Sequence, residues 1–443
     1  YSNPNLHSFG NGIYIHIGVK QMNSVTNSSL ATTSSAALAL NDPNKPAIYR
    51  KFQFTDLVNN NNKWWEVRWW RNGTMTTTYG RVGDSGQETT KTGIDEHGVL
   101  SKISEKLRKG YEEIDLHVPT VQVIADESDK KSDAENQLAL KSIDQSILNL
   151  INIIFSEAGE SISQYLSVGV DALSQAQITA GRKLLFEAQD YMRSGDKPNM
   201  VAAITSYYKK VPTILPRKID IDAVVDQFIK TIAEQEDRLQ QLETALISLQ
   251  VTKVDTSITS QYNSLGAEIG IIPGYDKRYE IINDYVTNTL MNHRGNTIKS
   301  IYSVKIPNER QAYLENDFGK ENVVHLFHGT NNKNLRHILR TGLIVPRVYT
   351  NGRRFGAGIY LADRAAKSLN YTAKVNRAAP TFLFVTDADI GNPSKMNGSD
   401  SSLNQAPPGY HSVWGYDSYG GHDEFILYRT EQQTIRAIIE FNR

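Results

Sequence analysis

The sequence predicts a multidomain α+β protein: a small β-rich module, an all-α helical bundle, then a mixed α+β region. Three observations carry this. Residues 64–83 place aromatic and β-branched residues on either side of an Asn-Gly turn, the pattern of a hairpin. Residues 134–250 change to apolar residues three and four apart, a helical period. From residue 251 onward short apolar runs appear without regular strand–helix alternation, which disfavours a doubly wound parallel sheet.

The 443 residues suit about three domains. With 39% hydrophobic and 22% charged residues, a sizeable core is expected and wholesale disorder is excluded. The 48 basic and 48 acidic residues cancel, which excludes a protein coated in nucleic acid and leaves a local basic patch open. Cysteine is absent, so disulfide scaffolds, thiolate zinc sites and cysteine nucleophiles are excluded. No apolar run reaches the about 18 residues of a membrane span. Tyr1 is not a Met, which leaves an upstream segment open.

In chain order, residues 1–45 read as a flexible lead-in, because residues 24–45 are small, polar and aperiodic. Residues 46–120 form the β-rich module. Trp64–Trp70, the turn Arg71-Asn72-Gly73 and the run from Thr74 to Gly83 give a hairpin, with the tryptophans read as core. Leu100–Tyr111, carrying Lys102, Lys106, Arg108 and Lys109, follow as a helix. Residues 121–133 hold the mixed charge run Asp126–Asp133 and read as a linker.

Within 134–250, Ile143, Ile147, Leu150, Ile151 and Ile154 share a helical face. Phe228, Ile232, Leu239, Leu242, Leu246 and Leu249 share another, interrupted at Gln235, with Asp222 as the expected N-cap. Pro212 and Pro216 break the chain between helices. A coiled-coil seam is the lesser reading, since the run is short. Residues 251–443 hold a helix over Lys277–Leu290 and strands over Val323–Phe327, Thr381–Val385, Glu424–Tyr428 and Ala437–Phe441.

Three clusters in this last region can carry chemistry. His328-Gly329-Thr330 follows an apolar strand, and the glycine lets a flat ligand approach the backbone. Phe355-Gly356-Ala357-Gly358-Ile359-Tyr360 leads into Lys367-Ser368-Leu369-Asn370-Tyr371. This lacks the third glycine of a dinucleotide fingerprint and offers instead a stacking slot with a hydroxyl at its end. Glu424 opens an apolar strand after His422-Asp423, where a part-buried carboxylate can stabilise a developing cation or act as a base. Each cluster alone also has a plain structural reading: a strand-end His, tyrosines as core filler, an acid at a strand start.

Together, these residues resemble the poly(ADP-ribose) polymerase family, from about residue 46 to the end. The motifs are His328-Gly329, Phe-Gly-x-Gly-Ile-Tyr-x-Ala-Asp at 355–363, Lys-Ser-x-Asn-Tyr at 367–371 and Glu424, with Tyr285-Val286 and Asn288-Thr289 upstream. The stretch 251–443 is similar to that family's ADP-ribosyltransferase catalytic domain. The stretch 134–250 is similar to its regulatory helical domain, through Leu173–Ile178, Tyr207-Tyr208 and Val211-Pro212. The hairpin region looks like a WGR domain, a nucleic-acid-sensing module, with Tyr79 in place of the usual Trp before Gly80 and Arg81.

The resemblance implies NAD+ as a substrate and no metal. It implies that His328 holds a hydroxyl of the adenosine ribose. Gly329 and Ser368 hold the nicotinamide amide, and Tyr371 and Tyr360 flank the ring. Thr330 and Asn334 line the adenosine pocket. Glu424 bonds the nicotinamide ribose and orients the acceptor, with Lys367 assisting charge balance. Tyr79, Gly80 and Arg81 would contact DNA, Tyr79 by stacking. The family often carries a basic residue after Gly-Leu in the adenosine-side loop. Here Ile344 follows Gly342-Leu343, which leaves Arg347 or Arg353 to substitute. The expected activity is poly(ADP-ribose) synthesis on protein acceptors, itself included, triggered by DNA breaks. The alternatives are single transfer to protein or nucleic-acid ends, and a non-catalytic DNA-binding scaffold. The helical domain would shield the site until DNA binds. No membrane partner is expected, and the location would be nuclear in a eukaryote or cytoplasmic in a bacterium, not secreted.

Overall fold

A computed structural model of the chain describes residues 45–114, 144–167, 170, 173–252, 258–290, 295–316, 322–346, 353–374, 376–418 and 422–442. The lead-in before Lys45, the linker 121–133, Ile143 and Arg347 lie outside the described residues. Contacts divide the chain into two compact units. Among the described residues, one holds 45–114 and 165–231, and the other holds 144–164 and 232–442.

The first unit is built on β1 (Ile48–Asp56), β2 (Asn61–Trp69), β3 (Met75–Arg81), β4 (Gln87–Lys91), α1 (Glu96–Arg108) and β5 (Glu112–Ile114). The strands form an antiparallel sheet in the order β4-β3-β2-β1-β5. The expected hairpin is β2–β3, with Trp69 opposite Met75. Period-2 alternation turns Trp65, Val67 and Trp69 to one face, where they bury against Val99 and Ile103 of α1. The Trp64 and Trp69 indole N–H groups donate to the Arg81 and Ile94 carbonyls, so these side chains bury apolar surface without orphaning a donor. Helix α1 starts earlier than the sequence suggests, because the Asp95 carboxylate caps it by accepting from the Gly98 N–H at 2.8 Å.

Among the described residues, six helices follow: α2 (Gln145–Tyr165), α3 (Gln175–Ser194), α4 (Lys197–Lys210), α5 (Ile221–Lys230), α6 (Ile232–Thr252) and α7 (Ile258–Leu265). The apolar face from Phe228 to Leu249 is two helices, since Thr231 caps α5 and α6 begins at Ile232. Helices α3 to α5 belong to the first unit, while α6, α7 and nearly all of α2 belong to the second. The N-cap of α5 is Asp220, which has extended backbone angles and accepts from the Ala223 N–H at 3.2 Å. Asp222, expected there, is already helical and pairs with Lys197 at 2.7 Å. The loop broken by Pro212 and Pro216 is tied to the first unit's sheet: Asn62 donates to the Thr213 carbonyl and Arg81 to that of Pro216.

The second unit carries a nine-stranded sheet. Its elements are β6 (Glu268–Ile271), α8 (Lys277–Thr289), β7 (Ile298–Lys305), α9 (Pro307–Glu315), β8 (Val323–Gly329), α10 (Leu335–Thr341), β9 (Ile359–Ala362), α11 (Ala365–Leu369), β10 (Thr381–Asp389), β11 (Pro393–Met396), β12 (Ser412–Ser418), β13 (His422–Leu427) and β14 (Gln433–Phe441). The order is β11-β12-β13-β9-β8-β10-β14-β7-β6, and among the described residues only the β11–β12 pair is parallel. Helix α8 packs Ile282 and Val286 against Phe327, Leu383 and Ile439 of the sheet. The Tyr285 ring stacks on Phe327 at 4.6 Å, and its hydroxyl donates to the His325 carbonyl at 2.6 Å. Two boundaries differ from expectation. His328 lies inside β8 rather than after it, and β13 opens at His422, so Glu424 is its third residue. In both cases ladder pairing to neighbouring strands extends the element past its apolar run.

Candidate active site

A cleft of about 480 Å³ opens in the second unit. His328 and Gly329 reach it from β8, Tyr360 from β9, Lys367 and Ser368 from α11, and Glu424 from β13. Thr330, Asn334 and Tyr371 complete the set named from the sequence. Glu424 sits opposite Ala362 in the β13–β9 ladder and opposite Gly415 in the β12–β13 ladder. Sheet register thus brings the carboxylate beside residues distant in sequence.

The imidazole of His328 lies 3.0 Å, through Nδ1, from the Tyr360 carbonyl. A carbonyl only accepts, so Nδ1 carries the hydrogen and Nε2 remains an acceptor. Burial holds the His328 pKa below the ordinary imidazole value, against the opposing effect of that hydrogen bond. The ring is therefore neutral at pH 7.

Gly329 lies so close to α11 that a Cβ added there would come 2.6 Å from the Ser368 carbonyl carbon. Only glycine fits. The buried Ser368 hydroxyl donates to the Phe327 carbonyl at 3.1 Å, which leaves its lone pairs to accept from a ligand N–H.

The Tyr360 hydroxyl accepts from the Phe355 N–H and donates to the Gly356 carbonyl, both at 2.9 Å. Burial pushes its pKa up to about 12. The phenol is thereby committed to holding the 355–358 loop, and its ring serves as a wall. Tyr371, by contrast, is 56% exposed.

Lys367 Nζ lies 3.2 Å from Glu424 Oε1, with both side chains largely buried. Burial lowers the lysine pKa, but Glu424 and Tyr371 more than offset this and leave it above the ordinary value. The ammonium is kept charged beside the carboxylate, and removing either partner would leave a largely buried charge uncompensated.

Helix α6 supplies residues that the sequence reading did not name. Gln241 donates to Asn334 Oδ1 at 2.9 Å, and Asn334 in turn donates to Thr330 at 3.1 Å. Thr244 meets His337 at 2.9 Å, and Asp237 lines the cleft. Asp237, Gln241 and Thr244 are four and three apart. Their spacing marks a second, polar face of α6 beside the apolar face of Leu239, Leu242 and Leu246.

In the first unit, Tyr79 is 44% exposed on β3. Gly80 passes close to the turn before β4, where an added Cβ would lie 2.9 Å from Gly86. The Arg81 guanidinium has internal partners: the backbone and side-chain oxygens of Asn60 and the Pro216 carbonyl. Of the three residues expected to contact DNA, Tyr79 alone presents a side chain to solvent without such ties. Arg81 braces the loop after α4.

Residues 276–430 match the model of the poly(ADP-ribose) polymerase catalytic domain, and residues 49–117 that of the WGR domain. The two matches together span just over half of the 443 residues. The chain belongs to the poly(ADP-ribose) polymerase family. Its similar curated relatives include mouse (Mus musculus) protein mono-ADP-ribosyltransferase PARP4, 24% identical over 69% of this chain and 16% of the relative. Human (Homo sapiens) protein mono-ADP-ribosyltransferase PARP3 is 23% identical over 81% of this chain and 74% of the relative. Human poly [ADP-ribose] polymerase 2 is 22% identical over 82% and 68%. The chain spans less than a quarter of the mouse and human PARP4 lengths. Within the family's catalytic match lie β8, β9, α11 and β13, which line the cleft together with α6, outside that match.

Proposed function

We propose that this chain is an ADP-ribosyltransferase that uses NAD+ as substrate, releases nicotinamide and transfers ADP-ribose to protein acceptors, itself included. One observation carries the reading. A neutral imidazole, two phenol rings, a serine hydroxyl and a lysine-paired carboxylate line a single cleft. Its volume of about 480 Å³ falls within the range of ligand pockets.

Ser368 and the Gly329 backbone orient the carboxamide, and Tyr371 and Tyr360 bracket the ring. His328 Nε2 accepts a ribose hydroxyl. Glu424 accepts the 2′-hydroxyl of the nicotinamide ribose and stabilises positive charge growing on that sugar as the glycosidic electron pair departs with nicotinamide. Preorganised electrostatics of this kind contribute about 3–4 kcal/mol in other enzymes. Lys367 pairs with the carboxylate and balances charge at the site. Glu424 also orients the incoming hydroxyl and takes up its proton as the new C–O bond forms.

We further propose that the product is a polymer and that DNA breaks raise the rate. The WGR match and the exposed Tyr79 support a nucleic-acid contact. The hydrogen bonds from α6 to Asn334 and His337 support a shielding helix that must loosen. Single transfer is the second reading, favoured by the printed names of the PARP3 and PARP4 relatives.

Labelled NAD+ with and without 5′-phosphorylated broken duplex tests all of this. A ladder supports the polymer and one band the single transfer. Equal rates without DNA refute the break response. Absence of both labelled product and free nicotinamide refutes the enzyme.

A further inference from the structure

Among the described residues, asparagine precedes glycine at Asn72-Gly73 and at Asn397-Gly398. Such a step is where a backbone most readily attacks its own side chain, because glycine has no Cβ to keep its nitrogen away from the asparagine Cγ. The fold treats the two steps in opposite ways.

At Asn72-Gly73 both reacting groups are tied. The Gly73 N–H donates to the Trp70 carbonyl at 2.9 Å, and Asn72 Oδ1 accepts from the Thr74 N–H at 2.9 Å. Attack there must break both bonds in the turn that closes the β2–β3 ladder. Asn397-Gly398 follows directly on β11, and both residues are exposed. Neither the Gly398 N–H nor the Asn397 side chain has a hydrogen-bond partner among the described residues. A Cβ built on Gly398 would meet nothing within 4 Å, so water reaches the step.

The carbonyls of this second step are held instead. The Arg354 guanidinium donates to the Asn397 carbonyl and, at 2.8 Å, to that of Gly398. The Asn397 carbonyl belongs to the same peptide group as the Gly398 nitrogen. When that nitrogen loses its proton, resonance spreads the negative charge onto the carbonyl oxygen. A permanent cation already donates to that oxygen. A charge-assisted donor preorganised where charge develops lowers the barrier to the step.

We infer that Asn397-Gly398 is a site of self-modification, deamidating in the folded chain with Arg354 as the activating group. The Gly398 nitrogen, its proton lost to solvent base, forms a bond to Asn397 Cγ. The bond from Cγ to the side-chain nitrogen breaks, and ammonia leaves with a proton taken from water. One water then opens the succinimide at either of its carbonyls, leaving aspartate or isoaspartate at position 397. One water enters, one ammonia departs, and nothing is oxidised or reduced. Arg354 lines the cleft, so the reaction puts a new carboxylate beside a cleft cation. The isoaspartate product also lengthens the main chain by one carbon in the segment that Arg354 grips. The inference stands whatever ligand the cleft takes.

The full chain, incubated in mildly alkaline buffer, tests this by tryptic mass mapping over time. In the folded chain the peptide beginning at Met396 should become one dalton heavier, with isoaspartate confirmed by isoaspartyl methyltransferase labelling. It should do so at least about tenfold faster than the peptide beginning at Asn72, the scale of the hydrogen bonds that restrain the latter. In urea, where neither step is held, the two rates should agree within about threefold. Arg354→Gln should slow Asn397 at least about fivefold in the folded chain, the loss of a charge-assisted contact, with no change at Asn72 or in urea. Arg354→Lys should recover part of that rate, because a point charge still stabilises the anion.

Equal rates at the two steps in the folded chain, or a faster Asn72, would overturn the site. A folded Arg354→Gln chain, checked by thermal unfolding, that deamidates at Asn397 as fast as wild type or faster would overturn the role of Arg354. Should that variant not fold, the wild type decides: Asn397 reacting more than about threefold slower folded than in urea would overturn the activation.

Discussion

Replacing Gly329 with alanine puts a methyl group where β8 passes against α11. The added Cβ would lie 2.6 Å from the Ser368 carbonyl carbon and 3.2 Å from its Cα. Carbon atoms rest at about 3.5 Å or more, and the Ser368 carbonyl oxygen is nearer still, so the two backbones must part by more than about 1 Å. Neither is a flexible side chain that can turn away. Overpacking of this kind destabilises by about 1–3 kcal/mol. The effect on function should be larger, because the same movement carries the Ser368 hydroxyl away from Phe327 and widens the slot between Gly329 and Tyr371. A misplacement of about 1 Å in a reacting geometry reduces rate by about 100-fold. Nicotinamide release from NAD+, measured beside thermal unfolding, separates the two effects. Gly329→Ala is expected to remain folded, with kcat/KM down about 100-fold. Activity within about threefold of wild type, in a variant that is equally stable, would refute the claim that this backbone contact shapes the site.

Other outcomes follow from single residues. Tyr371→Ala removes a largely exposed ring; it should weaken nicotinamide by about 3- to 10-fold, the worth of one aromatic contact, with an unchanged unfolding midpoint. Glu309 is buried between α9 and β14, and burial raises its pKa to about 7 despite hydrogen bonds from Thr434, Ile435 and Gln433. The folded state therefore holds a proton that the unfolded state has released, so stability falls as pH rises from about 4.5 to 7, by about 3 kcal/mol in all. Urea unfolding across that range should show the slope in wild type and lack it in Glu309→Gln; parallel curves would contradict it. Gln241→Ala with Thr244→Val removes two hydrogen bonds from α6 to the cleft. The pair should raise turnover without DNA while leaving the DNA-stimulated rate near its wild-type value, and an unchanged basal rate would count against shielding.

Some of this was legible in the sequence because local pattern and tertiary placement agree. The β2–β3 hairpin follows from alternating aromatics around Asn72-Gly73, and its ladder runs without a shift from Lys63 to Trp69. Helix α8 was read over Lys277–Leu290 and runs from Lys277 to Thr289, with Leu290 as its C-cap. The cleft residues were found through motif resemblance, since nothing in the spacing of His328, Tyr360 and Glu424 says that β8, β9 and β13 lie side by side. Other features were hidden for physical reasons. Phe228 and Ile232 stay in phase across Thr231, so periodicity cannot see one helix end and the next begin. Asp220 and Asp222 are both good caps, and the backbone angles of the first decide between them. Strands β6 and β11 are four residues long and include Gly270 or Pro393, too short for alternation to register. Arg81 looked like a free cation until the fold gave it the Pro216 carbonyl.

The central claim is that Glu424, held 3.2 Å from Lys367, stabilises positive charge on a ribose in this cleft. Nicotinamide release from NAD+ by Glu424→Gln measures it most directly, because glutamine keeps the shape and loses the charge. The account predicts a rate lower by about 100- to 1,000-fold, with nicotinamide still bound. A variant that releases nicotinamide as fast as wild type would contradict it.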